Sequence, residues 1–178
     1  MIPAAVTSAF NAQLNREMYS SYFYLALSAY GESLGLRGIA KWFLVKHQEE
    51  LAHAMKFYRY LVGQEAAVTL GEIAAPPAEF GGVVDAFAKT LAHERLVTRS
   101  IHDLVDVARD HRDHASEIFL HWFVTEQIEE EAAVGDILNR LRLVGDGGEG
   151  LYLMDKELEQ LAAANAATAA ATAAAAAG

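Results

Sequence analysis

A carboxylate and an imidazole stand three residues apart at Glu50 and His53, in a segment that has the pattern of a helix. Residues three apart lie on the same face of a helix, and this face continues the apolar stripe of the segment. Burying a carboxylate and an imidazole is costly unless other groups satisfy them. The spacing therefore predicts two ligands of a metal ion whose other ligands come from other helices.

Three other segments each carry one glutamate within an apolar stripe, near the middle of the segment: Glu17, Glu94 and Glu130. A single glutamate in such a stripe is more often a residue at the rim of a core, whereas four at matching depth favour a common site. Four buried carboxylates cannot all stay ionised without cations, and two divalent cations would neutralise them. Oxygen ligands with one imidazole suit Fe(II), Mn(II) or Zn(II).

The four segments that position these residues have apolar stripes with alternating spacings of three and four, which is typical of bundle helices. The first two are joined by a few residues and should be antiparallel neighbours. Residues 63–81 contain several glycines and prolines and are long enough to cross the bundle, so that the second and third helices run parallel. The predicted helices cover residues 3–33, 36–62, 82–109 and about 115–144.

The end of the chain has a different composition from the rest. A glycine-rich turn at 145–150 precedes a predicted short fifth helix at 151–161. The remaining residues are mostly alanine, which forms helices readily, although an isolated helix of this length is marginal in water. We therefore predict a metal-binding helical domain at 1–161 and a low-complexity tail at 162–178 that is partly helical and frayed.

The composition limits the functions that the chain can have. Its formal net charge of −10 disfavours binding of nucleic acid through a basic patch. The absence of cysteine excludes disulfides, thiolate metal sites and cysteine nucleophiles. No segment has the roughly 20 predominantly apolar residues of a membrane span, and no signal peptide is evident. We therefore expect a cytoplasmic protein that binds neither nucleic acid nor membranes.

The sequence resembles the ferritins, and specifically the non-haem bacterial ferritins, over about residues 1–160. The resemblance implies an all-α fold, namely a ferritin-like four-helix bundle with one long crossover between the second and third helices, plus a short fifth helix. The residues that carry it are Glu17, Tyr24, Glu49, Glu50, His53, Glu94, Trp122, Glu126, Gln127, Glu129, Glu130 and the segment 148–158.

In that family a di-iron centre oxidises Fe(II) with O₂ or peroxide, and the ferric product is stored as a mineral inside a hollow shell of 24 subunits. The resemblance implies that Glu17, Glu50 and His53 hold one iron. Glu50 would bridge to the second iron, which Glu94 and Glu130 also hold. The expected activity is therefore that of a ferroxidase combined with an iron store.

Two further sets of residues match features of the family. Bacterial ferritins have a third iron site, whose expected ligands here are Glu49, Glu126 and Glu129, with Glu130 shared. Pores in the shell lie near the start of the fourth helix, where an ordinary polar interface is an equally good interpretation. The candidate pore residues are His114, Glu117 and His121.

Tyr24 and Gln127 match neighbours of the di-iron centre, and Tyr24 is a hydrogen-bonding and candidate redox-active residue. The chain departs from the haem-binding bacterioferritins, which carry a second Glu-x-x-His motif where this chain has residues 127–130. Those proteins also bind haem through a methionine after the glutamate of the second helix, and Leu51 occupies that position here. We therefore expect no haem.

Two alternative functions remain open from the sequence. One is a cage that buffers metal ions or has a structural role without fast ferroxidase activity. The other is a di-iron oxygenase that acts on organic substrates, which would need an apolar cavity beside the irons. The complete set of predicted iron ligands favours the ferroxidase over the first alternative.

Overall fold

The computed structural model of the chain describes residues 2–176, and the side chains of residues 2–168. The described part contains five α-helices and no β-strand, which confirms the all-α prediction. None of these helices is long and apolar enough to cross a membrane. The helices are α1 (Ala4–Ser33), α2 (Arg37–Gly63), α3 (Val83–Asp110), α4 (His114–Val144) and α5 (Gly148–Ala176).

The first two helices are antiparallel and pack closely near their connection. A Cβ atom on Gly31 would lie 3.0 Å from the backbone nitrogen of Ala40, so the glycine allows the two backbones to approach. Nearby, the hydroxyl of Ser28 donates a hydrogen bond to the carbonyl oxygen of Ala40 over 2.9 Å. These contacts fix the angle at which α1 and α2 meet.

The connection between α2 and α3 runs along α1 from one end of the bundle to the other. The side chain of Asn11 donates to the carbonyl of Ala67 over 2.9 Å and accepts from the backbone nitrogen of Thr69 over 2.6 Å. Farther along, the hydroxyl of Tyr30 donates to the carbonyl of Phe80 over 3.2 Å. Because Asn11 and Tyr30 lie near opposite ends of α1, α3 begins at the end of the bundle opposite to the end of α2. The predicted crossover is confirmed.

The core consists of two apolar clusters, with the polar residues of the predicted site between them along each helix. One cluster contains Phe43, Phe87 and Leu138, and the other contains Phe57 and Phe123. Each fully buried side chain of this size contributes about 1.5–3 kcal/mol to the stability of the fold. The two clusters therefore hold the four helices in register on both sides of the polar residues.

The fifth helix is longer than the predicted span of 151–161, because it begins at Gly148 and continues through the alanine-rich segment to Ala176. Among its described side chains, which end at residue 168, the last buried one is Ala162, and residues 163–168 are exposed or half-buried. The high helix propensity of alanine accounts for a helix that continues beyond its packed part. The predicted division of the chain at 161/162 has no break in the backbone and stays a prediction.

The fifth helix packs on the start of α2. The carboxylate of Asp155 is buried and accepts a hydrogen bond from the backbone nitrogen of Ile39 over 2.9 Å. A Cβ atom on Gly38 would lie 1.7 Å from the carbonyl oxygen of Asp155, so only glycine permits this approach. Asp155 of α5 therefore caps the first turn of α2. The positive end of the α2 dipole also stabilises the negative charge of its carboxylate.

Candidate metal centre

Three predicted ligands from α1 and α2 meet in the middle of the bundle. One potential ligand atom from each of Glu17, Glu50 and His53 lies within 4.8 Å of the other two. The Nδ1 atom of His53 is 3.5 Å from Oε2 of Glu50, and all three residues are buried. The three-residue spacing of Glu50 and His53 on α2 points both side chains toward Glu17. These positions fit one metal ion.

Glu94 of α3 is held from both neighbouring helices. The hydroxyl of Tyr24 on α1 donates a short hydrogen bond to its Oε1 atom. The amide of Gln127 on α4 donates to its Oε2 atom over 3.2 Å and also lies 3.3 Å from its backbone oxygen. Both partners were predicted as neighbours of the centre. In the structure each donates a hydrogen bond that orients the carboxylate of Glu94.

Glu130 of α4 makes an ion pair that the sequence did not suggest. The ammonium of Lys46 lies 2.7 Å from Oε1 of Glu130 and 2.7 Å from Oε2 of Glu49. Lys46 is buried, with 6% of its surface exposed, and it lies one helical turn before Glu50 on α2. In the sequence, its place on the buried stripe four residues before a predicted ligand indicates that Lys46 lies near the centre, but it does not identify the partner.

The carboxylates of the centre are protonated more readily than ordinary carboxylates. Burial raises the pKa of Glu17, and the neighbouring Glu50 raises it further. Burial, followed by the nearby Glu94 and Glu130, raises the pKa of Glu50. Burial also raises the pKa of Glu94 and of Glu130. In the metal-free protein these carboxylates therefore keep their protons to higher pH than ordinary carboxylates do, and metal ions compete with protons for them.

Two carboxylate oxygens of the centre have no hydrogen-bond partner among the described residues. These are Oε2 of Glu17 and Oε2 of Glu130. The other oxygen of Glu17 accepts a hydrogen bond from the amide of Gln13 over 2.7 Å. Buried polar atoms are rarely left unsatisfied, and hard cations bind through oxygen atoms of this type. The residues present therefore fit divalent cations as their missing partners.

The residues predicted for a third iron site are only partly brought together. Glu126 is half-buried, and its Oε1 atom lies 4.0 Å from Nε2 of His53. Glu49 lies beside Lys46, as described above. Glu129 is exposed and makes no hydrogen bond or ion pair within the described part of the chain. The third site stays a prediction, and the structure gives it less support than the central ligands.

The three candidate pore residues lie in the first turns of α4. Nδ1 of His114 is 3.8 Å from Oε2 of Glu117, and Nε of Arg109 donates to Oε1 of Glu117 over 2.7 Å. His114 and His121 are exposed in the single chain. These contacts fit a polar surface as well as a pore, so their role stays a prediction.

The fold and the centre define a class of protein: a helical bundle whose four long helices each contribute a buried carboxylate, with one Glu-x-x-His motif on the second helix. The comparison with protein families agrees, because the family described as the ferritin-like domain matches residues 7–144. The chain belongs to this ferritin family.

Its relatives support the same assignment. A bacterial non-heme ferritin of Campylobacter jejuni is 36% identical over 162 residues, which is 91% of this chain and 97% of that protein. A bacterial non-heme ferritin of Staphylococcus aureus is 34% identical over 158 residues, which is 89% of this chain and 95% of that protein. The solved structure of an open pore ferritin from Archaeoglobus fulgidus has a TM-score of 0.88 at 41% identity, covering 89% of this chain and 98% of that one.

Proposed function

We propose that the protein oxidises Fe(II) to Fe(III) and stores the ferric product as a mineral in a hollow homo-oligomeric shell. The observation that carries this proposal is the buried group of Glu17, Glu50 and His53, whose ligand atoms lie within 4.8 Å of one another. Glu94 and Glu130 are also buried, and both lie close enough to Glu50 for their charges to raise its pKa, so we assign their carboxylates to a second ion.

In this proposal iron is the substrate. Two Fe(II) ions each lose one electron, and O₂ takes up both electrons with two protons to give H₂O₂. When peroxide is the oxidant, it takes up two electrons and two protons to give two water molecules. Two adjacent sites suit this stoichiometry because each oxidant molecule needs two electrons, while each iron supplies one.

The residues of the centre have distinct proposed roles. Glu17 and His53 hold the first iron, Glu50 bridges both irons, and Glu94 and Glu130 hold the second. The carboxylates give up their protons as Fe(II) binds, which keeps the net charge of the buried site low.

Two neighbours keep the Glu94 carboxylate oriented. Tyr24 and Gln127 each donate one hydrogen bond to it, from α1 and α4 respectively. Outer partners of this kind orient metal ligands and tune their basicity. We propose positioning roles for both residues, and Glu49, Glu126 and Glu129 as candidate ligands for a third iron.

The store requires assembly, and we propose the 24-subunit shell of the family. Related solved structures are ferritins that share the bundle of this chain at a TM-score of 0.88. Location in the cytoplasm is likewise part of the proposal. Light scattering of the purified protein should give the mass of 24 subunits, and a dimer as the largest species would contradict the shell.

Stopped-flow absorbance after mixing Fe(II) with metal-free protein in air tests the oxidation. The wild type should give a rapid ferric signal, and Glu50→Ala and His53→Ala should each slow it by roughly a hundredfold because the irons lose their positions. Glu32→Ala is the matched control, since Glu32 is an exposed glutamate of α1. An absent signal in the wild type, or an unchanged rate in both ligand variants, would refute the ferroxidase.

A second candidate function is a shell that buffers metal ions without fast oxidation. The ion pair of Lys46 with Glu130 favours this candidate, because an ammonium on a ligand of the second site opposes a second cation there. The same stopped-flow measurement separates the two functions. A buffering shell would bind Fe(II) tightly at one site and give only the slow ferric signal of the ligand variants.

A further inference from the structure

Lys46 places a positive charge inside the proposed metal centre. Its Nζ atom contacts carboxylates on two helices, Glu130 of α4 and Glu49 of α2, at 2.7 Å each. The stem of the side chain is buried, and Nζ also lies 5.7 Å from the ring centroid of Trp42. Burying a lysine is costly unless its charge is paired. The two carboxylates supply this pairing, so the ammonium belongs to the structure of the metal-free centre.

The ammonium of Lys46 contacts only one of the two carboxylate oxygens of Glu130. It holds Oε1, while Oε2 has no hydrogen-bond partner among the described residues. The carboxylates on the other side of the centre, Glu17 and Glu50, make no contact with Lys46 shorter than 4.0 Å. Among the ligands of the centre the ammonium therefore contacts Glu130 of the second site, and its charge reaches the first site only at longer range, through Glu50.

We propose that Lys46 is a built-in cation that holds Glu130 in the metal-free protein and must release it before a second metal ion binds, so that the two sites fill in a fixed order. The first ion binds to Glu17, Glu50 and His53. The second ion repels the ammonium and takes over Glu130. This inference deepens the proposed function, because it assigns an order of loading to the same centre.

Glu49 is a second partner for the ammonium of Lys46 once it has left Glu130. Glu49 is half-buried, with a quarter of its side chain exposed, and it lies three residues after Lys46 on the same helix. The flexible four-carbon stem of lysine lets the ammonium stay with Glu49 while it moves away from Glu130 toward solvent. In that position Lys46 also opposes a third cation at Glu49.

Calorimetric titration of metal-free protein with Zn(II) tests this order without any oxidation step. The wild type should bind one ion tightly and a second ion more weakly. Lys46→Gln should tighten the second step about tenfold, because a neutral amide no longer competes for Glu130, and should leave the first step within about twofold. Lys46→Arg keeps the charge and should behave like the wild type.

Two further variants make the result unambiguous. His53→Gln should remove the tight step in the wild-type and Lys46→Gln backgrounds, which assigns that step to the first site. Lys46→Met should reproduce Lys46→Gln, and circular dichroism of each metal-free variant shows that the helices are intact. If either Lys46→Gln or Lys46→Met unfolds, the other neutral variant still shows whether the second binding step tightens.

Three results would overturn the inference: a second step that is unchanged in Lys46→Gln, a second step that weakens, or an equal gain in Lys46→Arg. Because Zn(II) is not oxidised, the outcome is independent of the ferroxidase test. A protein with the predicted Zn(II) pattern but no ferric signal would refute the proposed oxidation and leave the loading order intact. The reverse combination would refute only the loading order.

Discussion

Tyr24 and Glu94 join α1 to α3 in the middle of the bundle, where the tyrosine hydroxyl donates a hydrogen bond to Oε1 of the carboxylate. Both residues are buried. Burial raises the pKa of Tyr24, and the nearby Glu94 raises it further, so the tyrosine stays a donor over the physiological pH range. This contact fixes one ligand of the proposed second iron before any metal binds.

Replacing Tyr24 with phenylalanine should weaken both the fold and the proposed reaction. The variant loses the donor to Glu94 and leaves a buried oxygen unsatisfied, which costs about 1–3 kcal/mol. The ferric signal should also slow, because Glu94 is then oriented by Gln127 alone. Urea denaturation and stopped-flow absorbance measure the two effects. Tyr58→Phe, at an exposed tyrosine of α2, is the control and should change neither.

The stability of the metal-free protein should fall as the pH rises. Burial raises the folded-state pKa of Glu17 above its value of 4.5 in the unfolded chain. Below that value both states are protonated and the contribution is fully present. It is lost as the pH rises through the folded-state pKa, because the native state binds more protons than the unfolded state. Bound Zn(II) should reverse this trend, since the metal replaces the protons.

Urea denaturation at a series of pH values above about 4.5 measures this slope. Glu17→Gln removes one of the titrating groups and should flatten the decline in the free energy of unfolding. Glu32→Gln, at an exposed glutamate of the same helix, should leave the slope as it is in the wild type. A metal-free protein that becomes more stable over this range would show that the carboxylates are already ionised.

Much of the fold and of the centre could be predicted from the sequence. The stripes located the four long helices within a few residues, and matching depth along those helices identified Glu17, Glu50, Glu94 and Glu130 as neighbours. The prediction succeeded for two reasons. The spacing of residues along a helix determines which face their side chains share, and the packing of the four helices side by side determines how far along the bundle each residue lies.

The sequence did not reveal contacts between residues that are far apart in the chain, and it did not reveal how far the fifth helix continues. The pairing of Lys46 with Glu130 joins residues 84 positions apart, and a lysine on a stripe gives no indication of its partner. The capping of α2 by Asp155 likewise depends on where α5 packs. The length of α5 was underestimated, because propensity alone does not decide where an alanine-rich helix ends.

Asp155→Ala should loosen the fifth helix from the bundle. The variant leaves the backbone nitrogen of Ile39 without its buried acceptor, and loss of a cap costs about 1–2 kcal/mol. Asp155→Asn keeps an oxygen acceptor and should cost less. Hydrogen exchange at the start of α2, followed by mass spectrometry, reports the change. Equal protection in Asp155→Ala and the wild type would contradict the capping role.

Removal of residues 163–178 should leave the bundle folded with little change in stability. Ala162 is the last buried residue among the side chains of α5 that the structure describes, and residues 163–168 are exposed or half-buried, so the loss of those six residues removes little apolar contact. Urea denaturation of the shortened chain measures the change, and a second deletion that begins at Leu158, which is fully buried, should be clearly destabilising. Equal losses in the two deletions would contradict the division of the chain at 161/162.

The pairing of two metal sites in one bundle is the central claim, and anomalous diffraction at the iron edge tests it most directly. Crystals of the protein soaked anaerobically with Fe(II) should show two peaks inside each subunit. One should lie among Glu17, Glu50 and His53, and the other beside Glu94 and Glu130. A centre without an anomalous peak, or iron bound only at the surface of the bundle, would contradict the account.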